Sequence, residues 1–239
     1  TSPGQSIIKY KQLFFTAMND ETINKLSLIQ ENIKKSNPNN SKIPKIICVS
    51  KTFSIDKLNP LIKYGHHHFG ENKVQEAIIK WSNLKKTNAN LKLHMVGRLQ
   101  TNKAKKALGL FDFIHSLDSM KLADILKKNE QALNKKLSYF IQINIGNENQ
   151  KSGILPKDAK SFARYCMEEI NLNVIGLMVI PPNDDKTTEY FEKVSNLNSD
   201  LGFKELSMGM SADYLEAVKF NSTFLRIGSA ILGERSPAK

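Results

Sequence analysis

The chain has 239 residues, 40% hydrophobic and 24% charged, the profile of a globular protein with a full-sized core rather than a disordered, collagenous or coiled-coil chain. Its apolar runs are strand-sized, well short of the roughly 18–20 residues of a membrane span, and Thr1–Ser6 lack the basic-then-apolar layout of a secretory leader. The net charge of +12 is concentrated in residues 1–120, which hold nineteen Lys/Arg against eight Asp/Glu.

In chain order, Leu13, Ile23, Leu26, Ile29 and Ile33 predict a long amphipathic helix over about 6–36. The barrel-forming region then runs from about 45 to 235, within one domain spanning 1–239. Strand-like runs are Lys45–Lys51, His66–Glu71, Lys92–Gly97, Phe111–Leu117, Ser138–Ile145, Val174–Ile180, Glu205–Gly209 and Thr223–Ile227. Most are apolar on both faces, as in a parallel sheet covered by helices. Helix-period stretches interleave them: Ser54–Tyr64, stopped by Gly65, then Glu71–Leu84, Asp118–Leu133, Pro156–Ile170 and Asp185–Leu201. Eight strands alternating with helices over about 200 residues predict a (β/α)8 TIM-type barrel with an extra N-terminal helix. A doubly wound open sheet is the rival, but Ser50-Lys51-Thr52 stands after the first strand where a Gly-rich dinucleotide loop would be required. Only Gly228–Lys239 follow the last strand, so the N-terminal helix is expected to cover the gap left by a short final helix.

Barrel chemistry sits at strand ends. These are Lys51, Gly70-Glu71-Asn72, Gly97-Arg98-Leu99-Gln100, Ser116, Asn144, Pro181, Gly209-Met210-Ser211 and Gly228-Ser229. Lys51 closes an apolar strand, where partial desolvation favours the neutral, nucleophilic amine; a lysine snorkelling to solvent is the plainer reading. The turns Gly209-Met210-Ser211 and Gly228-Ser229 offer backbone N–H groups and hydroxyls to an anion, with Ser211 expected to open a helix at Ala212. Loops after strands seven and eight are the usual phosphate position in such barrels. An amine and a phosphate cradle on one mouth describe a site for a phosphorylated aldehyde, with pyridoxal 5'-phosphate (PLP) the leading candidate.

Several segments carry a family resemblance: Val49-Ser50-Lys51-Thr52, Phe69-Gly70-Glu71-Asn72, His94 through Lys103, Gln142–Ile145, Lys151–Ile154, Gly176-Leu177-Met178, Leu206–Ser211 and Arg226–Gly233. Together, and in one collinear order from about Lys45 to Arg235, they resemble the YggS/PROSC family of pyridoxal phosphate homeostasis proteins. The resemblance implies a fold like the barrel domain of alanine racemase, with Lys51 as the aldimine lysine. It also implies that Asn72 contacts the cofactor, that Ser211, Gly228 and Ser229 hold its phosphate, and that Arg226 faces the pyridine nitrogen. A permanently charged guanidinium keeps that nitrogen unprotonated and the ring a poor electron sink. Ser229 stands where relatives often have Thr and keeps the hydroxyl.

Barrel racemases add a second domain that supplies an acid/base tyrosine. This chain ends about a dozen residues after the eighth strand, and none of its tyrosines lies at a predicted strand mouth. The expectation is therefore a carrier without strong catalysis, the alternative a weak amino-acid racemase. Apo PLP enzymes are the expected partners, a monomer the expected state, and the cytoplasm the expected location, since Cys48 and Cys166 suggest no disulfide framework. Between Glu76 and Asp112 eight basic residues occur without an acidic one, from Lys80 to Lys106. They raise an RNA or acidic-partner reading, weakened by the lack of interleaved aromatics. His66-His67-His68 is a poor metal motif because neighbouring strand residues face opposite sides. Lys151 is a surface lysine or a second amine. Cys48 is expected to be an inert buried thiol.

Overall fold

The computed structural model describes residues 20–37, 42–148 and 152–234. The part of the predicted N-terminal helix before residue 20 lies outside the described residues, as does Lys151. Eight parallel strands close into a barrel in sequence order: β1 (Lys45–Val49), β2 (His68–Glu71), β3 (Lys92–Met95), β4 (Phe113–Leu117), β5 (Ser138–Ile143), β6 (Val174–Val179), β7 (Glu205–Ser207) and β8 (Phe224–Ile227). The helices among the described residues are α1 (Glu21–Ser36), α2 (Ile55–Tyr64), α3 (Val74–Thr87), α4 (Ala104–Leu110), α5 (Met120–Leu133), α6 (Ala159–Arg164), α7 (Thr187–Asp200), α8 (Tyr214–Lys219) and α9 (Ser229–Leu232). All eight strands fall inside the runs read from the sequence, which confirms the barrel and its additional helix.

α1 starts where Asp20 accepts hydrogen bonds from the N–H groups of Thr22 and Ile23, at 2.9 and 3.2 Å. It buries Ile23, Leu26, Ile29 and Ile33 against α2, α8 and α9. That is the gap the four-residue α9 leaves open, so the covering role expected of this helix holds. Three details differ from the sequence reading. The short α4 went unread. The predicted helix from Pro156 to Ile170 is a 3-10 turn, then α6, then a π-type turn over Tyr165–Glu169 in which Ile170 N–H bonds Tyr165 O at 3.1 Å. The helix after β7 begins at Tyr214, not Ala212, so Ser211 does not cap it.

The barrel interior is also less apolar than the sequence suggested. The Phe224 ring touches those of His68, His94, Phe113, His115 and Phe140, which come from β2 to β5. A β8 residue reaching four other strands lies inside the barrel, and Ile47, Phe140 and Met178 cluster with it. Side chains alternate along a strand. Counting by twos from Phe224, Ile47 and His68 therefore places Arg226 and Gly228, Lys51, and Asn72 on the inward side at the C-terminal mouth.

Candidate functional site

The mouth is assembled on four contiguous strands. Val49 is in register with Gly70 of β2, and Ile47 with Arg226 of β8. β8 in turn pairs with β7 at Ser207–Phe224. Lys51 thus sits between Asn72 on one side and Gly228 on the other, with the turn after β7 next in line.

The segment bearing Lys51 is clamped from behind. Ser50 N–H continues the ladder to Gly70 O at 2.9 Å, and Phe53 N–H returns to Ser50 O at 3.1 Å, closing a tight turn around Lys51 and Thr52. Glu71 is fully buried, and its Oε1 accepts from Ser50 Oγ (2.6 Å), Lys80 Nζ (2.8 Å) and Trp81 Nε1 (2.8 Å). Lys80 Nζ also donates to Ser50 O at 2.8 Å and lies 3.5 Å from Glu76 Oε1. Glu76 in turn accepts from Thr52 N–H at 2.6 Å. The residues on both sides of Lys51 are therefore tied to one Glu71–Lys80–Glu76 group.

This clamp holds strain. Thr52 has φ of 69°, a left-handed conformation that costs a β-branched residue about 1–2 kcal/mol. Glycine adopts it freely but adds about 0.4–1 kcal/mol of unfolded-state entropy. Thr52→Gly is expected to stabilise the chain by about 0.5–1 kcal/mol, measured by urea unfolding. A loss of stability would show that Thr52 makes compensating contacts.

Across the mouth, the turns after β7 and β8 are bound to each other, with Ala230 N–H donating to Ser211 Oγ at 3.2 Å. Met210 N–H is held by Asp213 Oδ1 at 2.6 Å. Gly209 sits at φ of +96° with Ala217 Cβ 2.6 Å from where its own Cβ would be, so only glycine turns the chain here. Met210 and Ser211 are half-buried, Ser229 is exposed, and Gly228 lies beside Val49 O. Arg226 is 4% exposed; Nη1 donates to Ser207 Oγ (2.6 Å) and Nη2 to Val179 O (2.8 Å). Burial draws its pKa down to about 10, which leaves it charged at neutral pH. Asn72 has a buried Oδ1 without a hydrogen-bond partner, and its backbone is so close to Gly97 that a Cβ there would lie 2.5 Å from Asn72 O.

All seven residues named from the sequence, Lys51, Asn72, Met210, Ser211, Arg226, Gly228 and Ser229, thus lie at or just below the ends of β1, β2, β7 and β8. Sequence reading passed over Glu71, Lys80 and Ser207 as working residues. The signal for Ser207 was available, since it stands two residues before Gly209 and so shares the inward side. The basic stretch needs correction in two places. Lys80 points inward to Glu71, its side chain 9% exposed, and Lys85 pairs with Asp112 Oδ2 at 2.6 Å while donating to Leu110 O. Lys86, Lys92, Arg98, Lys105 and Lys106 are exposed. Cys48 is fully buried, and burial pushes its thiol pKa up, so it is inert as expected. No helix among the described residues is long and apolar enough to cross a membrane.

Residues 25–236 match the alanine racemase N-terminal domain model. The pyridoxal phosphate homeostasis protein of Pasteurella multocida is 36% identical over 228 residues, covering 90% of this chain and 97% of its own length. That of Aquifex aeolicus is 37% identical over 200 residues, covering 80% and 87%. Among solved structures, PipY of Synechococcus elongatus without PLP superposes with a TM-score of 0.81 at 30% identity, covering 90% of this chain and all of that one. PipY with PLP bound gives 0.74 at 31%. With these relatives matched over most of their lengths, the barrel is that of the YggS/PROSC family, and the chain belongs to the pyridoxal phosphate homeostasis proteins.

Proposed function

We propose that this chain binds PLP at the mouth formed by β1, β2, β7 and β8, and takes part in its intracellular homeostasis and delivery without strong catalysis of its own. One observation carries the reading. An inward lysine, two interlocked small-residue turns and a buried guanidinium without a carboxylate in its hydrogen bonds converge on adjacent strands of a family whose curated members are PLP homeostasis proteins. The donor set suits the cofactor. PLP is an anionic aldehyde, and when bound it supplies a carbonyl carbon for an amine and a ring that withdraws electrons.

Lys51 is the covalent anchor, its turn held by the Glu71–Lys80–Glu76 clamp. Ser211, Met210, Gly228 and Ser229 receive the phosphate, with the Ser211–Ala230 bond keeping the two turns together. Asn72 brings the polar atom that otherwise lacks a partner. Arg226 faces the ring nitrogen and, as a permanent donor, gives it no proton to keep. That favours holding the cofactor over carbanion chemistry, and so a carrier over the racemase alternative. Apo PLP enzymes are the recipients, and residues 1–239 act as one cofactor-binding domain. Exposed apolar side chains are spread over separate helices (Leu28 on α1, Ile79 on α3, Met120 on α5), which supports a monomer. Two buried free thiols suit the reducing cytoplasm.

The test is absorption with added PLP before and after borohydride, followed by peptide mass mapping. Wild type is expected to show a violet-region band that borohydride bleaches, leaving a pyridoxyl mass on Lys51; Lys51→Ala is expected to lose the trapped product entirely. No band in the wild type, or a label spread over surface lysines, would overturn the assignment.

A further inference from the structure

An unbroken hydrogen-bond file runs up the inside of the barrel to Arg226. His68 Nδ1 lies 2.9 Å from His94 Nε2, and His94 Nδ1 lies 2.9 Å from His115 Nε2. His115 Nδ1 lies 2.8 Å from Ser207 Oγ, which is 2.6 Å from Arg226 Nη1. The members come from β2, β3, β4, β7 and β8. His68 opens β2 at the base of the barrel in register with Lys92, whereas Arg226 lies beneath the mouth. His94, His115 and Ser207 are fully buried. The ring planes are fixed by stacking, His94 on Phe113 at 4.3 Å and 7°, and His115 on Phe140 at 4.4 Å and 19°.

The direction of every bond in the file follows from its upper end. A guanidinium only donates, so Ser207 Oγ accepts from Arg226. The hydroxyl proton of Ser207 then goes to His115 Nδ1, the other atom bonded to it. An imidazole that accepts at Nδ1 is neutral and carries its proton at Nε2. His115 Nε2–H therefore donates to His94 Nδ1, and His94 Nε2–H to His68 Nδ1. The opposite direction would have His115 donate to Ser207 and would strand the hydroxyl proton in the interior, a cost of about 1–3 kcal/mol. Burial holds His94 and His115 well below the usual histidine range; the Arg226 charge adds to it at His115, and at His94 a proton would also be opposed by the neighbouring His115, His68, Lys85 and His66. Both rings are therefore neutral at physiological pH.

We infer that His115 and Ser207 are positioning residues for Arg226, and that the file from His68 upward fixes the orientation of the guanidinium with one set of tautomers. The guanidinium is thereby held by neutral acceptors, Ser207 Oγ and Val179 O, and its positive charge is left for the ligand. Asp213 acts on it electrostatically but spends Oδ1 on Met210 N–H. The part of this inference that concerns ligand binding rests on the PLP reading; the polarity of the file does not.

The test uses 15N-histidine NMR of the full chain without ligand, at pH 7.5, beside PLP affinity. Wild type is expected to show His68, His94 and His115 as Nε2–H tautomers. Ser207→Ala removes the proton that His115 Nδ1 accepts. It leaves that nitrogen without a donor, so the His115 Nδ1 resonance is expected to move toward that of an imidazole nitrogen with no hydrogen bond while the Nε2–H tautomers persist, and Ser207→Thr restores the wild-type pattern. PLP affinity is expected to fall about tenfold in Ser207→Ala and to recover in Ser207→Thr. An Nδ1–H tautomer at His115 in the wild type, or a His115 Nδ1 resonance unmoved by Ser207→Ala, would overturn the file's polarity, and a moved resonance with unchanged affinity would overturn the positioning role. A wild type that takes up no PLP would overturn the function proposed above, while the tautomers would still decide the polarity.

Discussion

Replacing Lys80 by methionine is expected to cost the fold about 3–5 kcal/mol, although the residue would pass for an ordinary surface lysine in the sequence. Its ammonium is the charged partner of Glu71, which is fully buried and accepts three hydrogen bonds on one oxygen. Methionine matches the length of the side chain but leaves the carboxylate uncompensated, or protonated at a cost. The double variant Lys80→Met/Glu71→Gln removes both charges, keeps an acceptor for Ser50 Oγ and Trp81 Nε1, and is expected to recover at least half of the loss. Urea unfolding of the wild type, both single variants and the double gives the coupling directly. Because Lys80 also holds Ser50 O and touches Glu76, which holds Thr52 N–H, the same substitution is expected to slow capture of PLP at Lys51. Additive single losses would mean that Glu71 and Lys80 are independent, and that the Lys51 turn stands without them.

Lys80 also shows where the sequence stops being informative. The eight strands were legible because their apolar runs are long and bounded by Gly, Pro or polar clusters. Lys51 and the turns at Gly209 and Gly228 were legible because barrel chemistry concentrates at strand ends. The seven-residue α4, Ala104–Leu110, was lost within the basic stretch because two turns carry too little periodicity to register. The inward direction of Lys80 was lost because its partner is on a strand that precedes its helix, and nothing in local composition marks a buried acceptor. The histidine file was least visible. Its links join residues 26, 21 and 92 positions apart, and closure of the barrel alone brings them together. Counting by twos along each strand would have placed all of its members inside, but only after the barrel had been accepted.

The same file makes the chain acid-sensitive as the pH falls through the ordinary histidine range. His94 and His115 are fully buried and held neutral, while in the unfolded chain they titrate near the ordinary histidine value of 6.5. His66 and His68 are drawn down to about 4, chiefly by burial. For a histidine whose native pKa is depressed, the unfolded state takes up the proton first. Stability is therefore complete above pH 6.5 and falls as the pH drops below it, by about 1.4 kcal/mol per pH unit for each such group. The two fully buried rings alone give a limiting slope of about 2.7 kcal/mol per pH unit, and leave the fold about 4 kcal/mol below its high-pH plateau at pH 5. That is a large fraction of the roughly 5–15 kcal/mol that holds a domain together. At Asp20 and Glu205 burial works to raise the carboxyl pKa, but hydrogen bonds outweigh it and hold them below their ordinary values of 3.8 and 4.5, so they respond only at lower pH. Urea unfolding at pH 7.5, 6.5, 5.5 and 5 is expected to show a flat region and then this descent. His115→Gln, which keeps an acceptor for Ser207 and a donor for His94 without the titrating nitrogen, is expected to reduce the slope by about one proton. A stability that stays level from pH 7.5 to 5 would mean that the rings are charged and paired in the native barrel, and the single polarity of the file would fall with it.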